Sequence, residues 1–403
     1  MRDAELQCRK LGSAPDAVLI TGDLTFAGDT NEFKYALTWL EQLCSRCGTD
    51  TSKIFIVPGN HDAVRDVARS KLIQALHNEV KGANSVALDA VINGLLMDKD
   101  AAQQLYSPLR NYNDFASQFF CALLPPDRTS ARRDLELNDG SVLRLTGLNS
   151  AFLSSASDKE GDLFVDASYC QLHREPGVIH LTMCHHPFNW LRQGAALRDV
   201  LNDVAQIQLF GHEHVNRLDQ SQDYVRVYAS AALPDKGETD WEPGYNFINL
   251  HVEGTGVERR LEVKVFVRVW QQRPGTFRAK VNKHDDSFFE QSIRLDPWVN
   301  NKVDELENVS TSEAVSTAEA LSETPSTPVE NELMQTLREI SVRFFKLTLS
   351  QKSEIAGKFN LLEETDTKLP DFERFRNALL RAKARGLLAE LEQAVGEAES
   401  SGQ

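Results

Sequence analysis

Four short apolar runs in the chain end in polar residues. They span residues 18–20, 54–57, 178–183 and 207–210. Runs of this length and uniform apolarity are typical of buried strands that are covered on both faces. The segments that follow them are Thr21-Gly22-Asp23, Pro58-Gly59-Asn60-His61-Asp62, Cys184-His185-His186-Pro187 and Gly211-His212-Glu213-His214. Because loops after strand ends meet at one edge of a sheet in α/β proteins, we expect these segments to converge.

The pattern of residue types along the chain changes twice, near residues 297 and 330. Residues 1–297 alternate short apolar runs with helical stretches and Gly or Pro turns, which predicts a mixed α/β domain. Residues 298–329 hold few large apolar side chains and are rich in Ser, Thr, Glu and Pro. Such a segment cannot bury a core, so we predict a flexible acidic linker whose two neighbours fold separately.

Residues 330–403 show a helical pattern. Leu333, Leu337, Ile340 and Phe344 recur at spacings of four, three and four residues, which is the period of an amphipathic helix. Further helices are predicted over residues 351–359, 371–383 and 387–397. We therefore predict that the chain ends in a compact all-α bundle.

Charge and composition narrow the possible functions. The 403 residues include 44 Lys and Arg against 59 Asp and Glu, a net charge of −15, which argues against general nucleic-acid binding. A phosphate-ester substrate is still compatible with this charge, since bound metal ions reverse the local field. No apolar stretch is long enough to cross a membrane, and the first residues contain no apolar signal core. We therefore expect a cytoplasmic protein that does not bind membranes.

The strand-end segments carry residues that suit a pair of divalent cations. Five of the ten histidines fall in them. Two ions about 3.5–4 Å apart need a bridging carboxylate, and Asp23 offers one. Asn60 offers an amide oxygen, and His185, His212 and His214 offer imidazoles. In an extended G-H-x-H segment, residues two apart point to the same side, so we expect His212 and His214 to bind one metal each.

In their order along the chain, these motifs resemble a known superfamily. GD at 22–23, GNHD at 59–62, HHP at 185–187 and GHEH at 211–214 resemble the calcineurin-like metallophosphoesterases. The stretch ITGDLT at 20–25 resembles the bacterial branch similar to class III cyclic-nucleotide phosphodiesterases. The resemblance covers about residues 15–250 and implies a four-layer αββα sandwich with two divalent ions. Mixed nitrogen and oxygen ligands suit Mn, Fe, Zn, Co or Ni.

The resemblance also implies roles for individual residues. Asp23 would bridge the metals, with Asn60, His185 and His212 on the second metal and His214 on the first. His61 would lie beside the phosphate as general acid or charge stabiliser while a metal-activated water attacks phosphorus in line.

Two assignments stay open. Adjacent strand residues face opposite ways, so only one of His185 and His186 should be a ligand. The family pattern favours His185 and leaves His186 to hydrogen-bond behind it. Asp62 is either a catalytic residue or a brace of its loop.

One family motif is not found ahead of Asp23. The family opens with a strand carrying Asp-x-His, which supplies two ligands of the first metal. Only 22 residues precede Asp23, and they contain no histidine; Asp3 and Asp16 lack the strand and the partner. We therefore expect the sandwich to lack its first strand and the first metal to keep only Asp23 and His214. Either the native start lies upstream or this protein lacks the first-metal site.

The C-terminal helices resemble a second family. RFFKLTLSQKSEIA at 343–356, LLEE at 361–364 and LPDFERF at 369–375 resemble small death-like domains of bacteria, called effector-associated or GTPase-associated adaptor domains. The resemblance implies that residues 330–403 bind a like domain on a protein partner. The alternative is a helical bundle that packs on the enzyme or forms a dimer.

Three functions fit these observations. The first is metal-dependent hydrolysis of phosphate esters, above all phosphodiesters or cyclic nucleotides, with a C-terminal recruitment domain. The second is a degenerate phosphoesterase fold that binds a nucleotide or a partner without turnover, in signalling or defence. In the third, the adaptor tail is the main function and the catalytic domain its regulated effector. The unfound Asp-x-His favours the second function for the chain as it stands, and the intact remaining motifs favour the first.

Overall fold

The structure is a computed structural model that describes residues 1–84, 86–155, 157–232, 243–299, 328–363, 366, 369 and 371–401. Residues 300–327, most of the predicted linker, lie outside the described residues. Within these ranges, no helix is both long and apolar enough to cross a bilayer.

Helices and strands alternate through the larger part of the chain. The described α-helices are α1 (Arg2–Leu11), α2 (Thr30–Arg46), α3 (Arg65–Ala68), α4 (Lys71–Gly82), α5 (Leu88–Met97), α6 (Lys99–Tyr106), α7 (Arg110–Ser117), α8 (Gly194–Val204), α9 (Pro328–Lys346), α10 (Leu349–Lys358), α11 (Asp371–Ala384) and α12 (Leu388–Ser401). The described strands are β1 (Val18–Ile20), β2 (Ile54–Ile56), β3 (Ala131–Glu136), β4 (Val142–Leu148), β5 (Val178–Cys184), β6 (Ala205–Phe210), β7 (Arg217–Gln220), β8 (Val225–Tyr228), β9 (Gly244–Glu253), β10 (Arg260–Gln271), β11 (Thr276–Ala279) and β12 (Phe289–Arg294).

The four predicted strands are β1, β2, β5 and β6, but they belong to two sheets. β1 and β2 pair in parallel, with Val18 opposite Ile54. β5 and β6 are parallel neighbours at the centre of a six-stranded sheet with the order β3-β4-β5-β6-β8-β7. A third, antiparallel sheet is built around β10 from β9 to β12. The motif loops therefore leave two sheets, and not one edge of a single sheet as expected.

The layers follow from which face of each sheet is covered. One face of the six-stranded sheet packs on α8, through residues such as Leu197 and Phe210. Its other face shares the main core with the other two sheets, including Leu181 and Val263. On the far side of β9, the half-buried Phe247 packs against α1 and α2. This sheet-on-sheet arrangement with helices outside confirms the predicted αββα sandwich.

The C-terminal bundle has its own apolar core but is not detached from the sandwich. Helices α9 to α12 bury residues such as Phe344 and Phe375 in one cluster, which confirms the predicted helices. Phe120, from the loop after α7, belongs to the same cluster. The guanidinium of Arg128 lies 3.4 Å from the ring centroid of Phe372. The bundle therefore packs on the larger domain, and the separate folding of the two parts stays a prediction.

Candidate metal centre

The side-chain oxygen of Asn60 is the point where the motif segments meet. Asn60 begins a short 3-10 turn, Asn60–Asp62, which follows β2 after three residues. Its Oδ1 lies 3.1 Å from Nε2 of His185, 3.2 Å from Nε2 of His186 and 3.2 Å from Nδ1 of His212. The structure thus gathers histidines from the segments after β5 and β6 around one amide oxygen from the segment after β2.

His185 is oriented by a backbone carbonyl. Its Nδ1 lies 2.7 Å from the carbonyl oxygen of Thr21, and a carbonyl only accepts, so Nδ1 donates this hydrogen bond. Nε2 is thereby directed at the Oδ2 atom of Asp23, 3.2 Å away, and at Asn60. Histidines that bind metals are held in this way, with the far nitrogen bonded to a carbonyl or carboxylate.

Asp23 follows β1 in a left-handed backbone conformation, with φ at 55°. Its Oδ1 accepts the backbone N–H of His61 at 2.9 Å, while Oδ2 faces His185. Two glycines make this approach possible. A Cβ on Gly59 would lie 2.1 Å from Oδ1 of Asp23, and a Cβ on Gly22 would lie 2.5 Å from Nδ1 of His185.

Asp62 holds the Asp23 loop against the Gly59 loop. Its buried carboxylate accepts the backbone N–H of Asp23 and of Gly59 through Oδ2, each at 2.9 Å. Oδ1 accepts the N–H and the hydroxyl of Thr25 at 3.0 and 3.1 Å. Burial, and then the negative charge of Asp23, raise the pKa of Asp62 to about 6. Of the two roles left open for Asp62, this geometry supports the brace.

His61 lies at the half-buried edge of the centre. Its Nδ1 lies 2.9 Å from the carbonyl oxygen of Phe26 and 3.0 Å from an Nη atom of Arg65. The imidazole and the Phe26 ring are 5.5 Å apart between centroids. His61 is therefore next to Asn60 in sequence but is not one of the three histidines that surround the Asn60 side chain. This position suits proton transfer better than metal ligation.

The G-H-x-H segment is a tight turn, so the prediction of an extended segment was wrong. The φ angles are 68° at His212 and 55° at His214, and the N–H of Glu213 donates to the Gly211 carbonyl at 2.8 Å. A left-handed residue reverses the chain, so residues two apart no longer share a side as they do in a strand. Across the described residues, the group of side chains that could hold a metal ion, with possible ligand atoms within 4.8 Å of one another, is His185, His186 and His212. His214 lies outside that group.

Backbone strain concentrates at the centre. In the described part of the chain, six residues other than glycine have a positive φ, and Asp23, His212 and His214 are three of them. A residue with a side chain costs about 1–2 kcal/mol in this conformation, and such residues persist where their surroundings enforce it. Strained positions of this kind cluster at functional sites.

Burial and neighbouring charges set the ionisation of the centre. Burial, and then the charge of His185, lower the pKa of His212 to about 3. Burial, followed by His185 and His212, holds the pKa of His186 well below its ordinary value. Burial also lowers the pKa of His185, but Asp23 outweighs it and the net shift is upward. Burial raises the pKa of Asp23, but His185 overcomes this and holds it well below the usual range. His186 and His212 are therefore neutral at pH 7, the form in which imidazole binds metal.

Two residues of the centre were missed by sequence reasoning. Ser150 Oγ lies 2.9 Å from Nδ1 of His186 and accepts the His186 backbone N–H at 3.2 Å. Ser150 follows β4, a buried strand that pairs with β5. A search for polar residues directly after buried apolar runs, as made for the four predicted strands, would have found Ser150. The Trp190 ring packs edge-on at 4.2 Å from that of His212, and no sequence signal marks it.

Asp3, the acidic residue nearest the start, is placed elsewhere. It lies on α1 and accepts hydrogen bonds from Nε and Nη2 of Arg268, on β10, at 2.9 and 2.8 Å. It therefore ties a helix to the antiparallel sheet and has no part in the centre.

The donor set fits a divalent cation. Around Nε2 of His185 stand two oxygens, from Asp23 and Asn60, so a positive charge is required to hold the three atoms together. A proton on His185 or a bound metal ion would supply that charge, and metal binding would release the proton. His186 also reaches Asn60, so the choice of His185 as the ligand stays a prediction. Of the two histidines, only His185 contacts Asp23 in the described part of the chain.

Comparison with known proteins identifies the family. Residues 4–216, more than half of the chain, match the family model for calcineurin-like phosphoesterases. The chain therefore belongs to that family. Residues 336–397 match the model for the GTPase-associated adaptor domain, which covers the C-terminal helices from within α9 onward.

One curated relative extends this picture. Over 212 residues the chain is 28% identical to a protein of Bacillus subtilis (strain 168) named uncharacterized metallophosphoesterase-like protein YydB. The match covers 49% of this chain and 41% of that protein. The chain thus spans less than half the length of this relative.

Proposed function

We propose that this chain hydrolyses phosphate esters with the help of divalent metal ions, and that phosphodiesters or cyclic nucleotides are its substrates. The observation that carries the proposal is the meeting of Asp23, Asn60, His185 and His212 within contacts of 3.1–3.2 Å. Membership of the phosphoesterase family supports a hydrolase in general.

Asn60, His185 and His212 would hold one ion, with Asp23 between it and a second ion bound by His214. Mn, Fe, Zn, Co and Ni all suit this mixture of nitrogen and oxygen donors. When bound, such ions lower the pKa of water and offset charge on the phosphate oxygens. Ser150 would keep His186 in place behind the ligands through its hydrogen bond at 2.9 Å.

The remaining residues of the centre would move a proton or hold position. His61 would protonate the leaving oxygen or stabilise its charge, a role worth roughly 10²–10⁴-fold in rate. Its backbone N–H donates to one oxygen of Asp23, which holds the His61 backbone beside the carboxylate that would bridge the ions. Asp62 would keep both loops in register through its four hydrogen bonds.

A second candidate function is binding without turnover. The observation that favours it is that the described residues form one compact group of possible metal-binding nitrogens, from His185, His186 and His212, and no second group of this kind. With one well-assembled ligand group, the chain would retain one ion and a phosphate ester without the second ion that accelerates attack.

A hydrolysis screen separates the two functions. The 403-residue chain is loaded in turn with Mn²⁺, Fe²⁺, Zn²⁺, Co²⁺ and Ni²⁺ and assayed with p-nitrophenyl phosphate, bis(p-nitrophenyl) phosphate and 2′,3′-cyclic AMP. We expect metal-dependent hydrolysis that is fastest for a diester. Binding of the esters with no turnover under any metal would refute hydrolysis and support the second function.

We also propose that the C-terminal domain binds a protein partner. The match of residues 336–397 to an adaptor domain supports this role. Because the Phe372 side of the bundle already lies against Arg128, a partner would use another face or displace this contact. A partner carrying a like domain should therefore bind more tightly when Arg128 is replaced by alanine, if the two contacts compete.

A further inference from the structure

An exposed aromatic side chain stands beside the candidate metal centre. Phe26 is 58% exposed and lies three residues after Asp23. Its ring is 5.5 Å from the imidazole of His61. Single exposed apolar residues are normal on protein surfaces, so exposure alone carries no argument. The position of Phe26 at the rim of the centre is the observation that needs an explanation.

The loop that carries Phe26 is firmly held. The Oε2 atom of Glu32, at the start of α2, accepts the backbone N–H groups of Phe26, Ala27 and Asp29 at 3.2, 3.0 and 3.2 Å. Further along, the Gly28 carbonyl accepts a hydrogen bond from Nδ2 of Asn111 at 2.8 Å. The ring is thus presented to solvent by a fixed backbone, and little conformational entropy would be lost when a ligand covers it.

Arg65 completes this corner of the site. Its guanidinium carbon lies 4.8 Å from the Phe26 ring centroid, and an Nη atom lies 3.0 Å from Nδ1 of His61. Among the residues described by the structure, no carboxylate lies within ion-pair distance of Arg65. A cation without an acidic partner, over an aromatic ring that is largely exposed, fits an anionic ligand that also carries a planar ring.

We propose that Phe26, with Arg65 beside it, is a stacking platform that selects phosphate esters carrying a planar aromatic group. The inference rests on the proposed function, because it names the substrate class of the same centre. The phosphate lies at the Asn60 and His185 end, and the ring of the ester lies over Phe26, beyond His61. Stacking of a base or phenyl ring on an aromatic side chain raises affinity about tenfold.

The test uses two ligands that cannot be hydrolysed. Benzylphosphonate and cyclohexylmethylphosphonate have the same charge and nearly the same size, and differ in the planarity of the ring. Their binding to the Mn²⁺-loaded full chain is measured by calorimetry. We expect the wild type to bind benzylphosphonate about tenfold more tightly. Equal affinities, or no binding of either ligand, would overturn the proposal.

Variants locate the preference at Phe26. F26A should bind both ligands equally, F26L should do the same although it keeps an apolar side chain, and F26W should keep the preference. Y35A is the matched control, because Tyr35 is 78% exposed on α2 and takes no part in the centre. A preference that survives in F26A, or is lost in Y35A, would show that the ring binds elsewhere. Metal content is measured in every variant and should not change.

Hydrolysis of bis(p-nitrophenyl) phosphate, followed in parallel, separates this proposal from the proposed function. Aromatic preference without hydrolysis would support the platform and refute the hydrolase. Hydrolysis without aromatic preference would refute the platform alone. In F26A, the KM for this ester should rise while kcat stays within about twofold, because Phe26 contacts the organic group and the carbonyl it offers to His61 belongs to the backbone.

Discussion

The candidate metal centre and the docked C-terminal bundle are built in opposite ways. The centre buries polar side chains on loops and holds Asp23 and His212 in left-handed conformations. The bundle buries aromatic and aliphatic side chains such as Phe375 on four consecutive helices, and meets the larger domain through rings and guanidinium groups. Strain and buried charge weaken a fold, whereas apolar packing stabilises it. Substitutions in the centre should therefore affect function more than stability, and those at the docking surface the reverse.

The largest effect is expected for Asp23→Asn. The variant keeps the size of the side chain but removes the charge that offsets His185 and would join two ions, so hydrolysis should fall by roughly 10³-fold or more. Metal content, measured by elemental analysis, should fall with it. Asp66→Asn is the control, because Asp66 is an exposed residue of α3, and it should leave both unchanged. Unchanged metal content in Asp23→Asn would contradict the ligand role.

His61→Ala should reduce the rate without releasing metal. Loss of a general acid costs roughly 10²–10⁴-fold in kcat, whereas the ligands around Asn60 keep their contacts. The free energy of unfolding should change by less than about 1 kcal/mol, since the ring is half-buried at the edge of the centre. Equal metal loss in His61→Ala and Asp23→Asn would show that the two roles are not distinct.

His180 offers a pH test within the strand that leads to the centre. Burial, and then the charge of Arg144, lower its pKa to about 4. In the unfolded chain His180 has its ordinary pKa of about 6.5, so below that pH it binds a proton that it does not bind in the folded protein. The free energy of unfolding therefore falls as the pH drops from about 6.5 to 4. The His180 contribution to this loss is up to about 3 kcal/mol.

Urea unfolding at pH 7 and pH 4.5 measures this contribution. His180→Gln should lose less stability between the two pH values than the wild type does, by up to about 3 kcal/mol. His251→Gln is the control, because His251 is exposed on β9. A wild-type pH slope in His180→Gln would refute the buried, neutral state of His180.

A smaller effect tests the docking of the bundle. Arg128→Ala and Phe372→Ala, alone and together, form a double-mutant cycle on the contact at 3.4 Å. We expect a coupling energy of about 2 kcal/mol, as for a desolvated cation–π pair, from urea unfolding of the full chain. Metal content should not change. A coupling energy near zero would support the prediction from the linker composition that the bundle and the larger domain fold separately.

A neighbouring ion pair provides a comparison for the coupling energy between Arg128 and Phe372. Lys346 and Asp114 are 3.0 Å apart but more than half exposed, so a cycle on them should give less than about 1 kcal/mol. Equal coupling in both cycles would mean that the two domains touch loosely and without a defined contact.

The sequence by itself determined four of the strands, the order of the motifs and the families of both domains. Apolar runs that end in Asp23, Asn60 and His185 are local signals, because strand formation and strand-end position depend on neighbouring residues. The helical period after residue 330 is local for the same reason. These features can be predicted from short segments, without knowledge of the rest of the chain.

Only the tertiary structure decided which atoms meet. The left-handed turn at His212 begins beside Gly211, whose N–H donates to the His185 carbonyl at 2.9 Å and holds the end of β6 against β5. Ser150 reaches His186 because β4 pairs with β5, a pairing that no spacing in the sequence encodes. The docking of Phe372 on Arg128 likewise joins residues more than two hundred positions apart. Contacts of this kind follow from packing of the whole chain, since each depends on the free energy of many distant residues together and not on a local pattern.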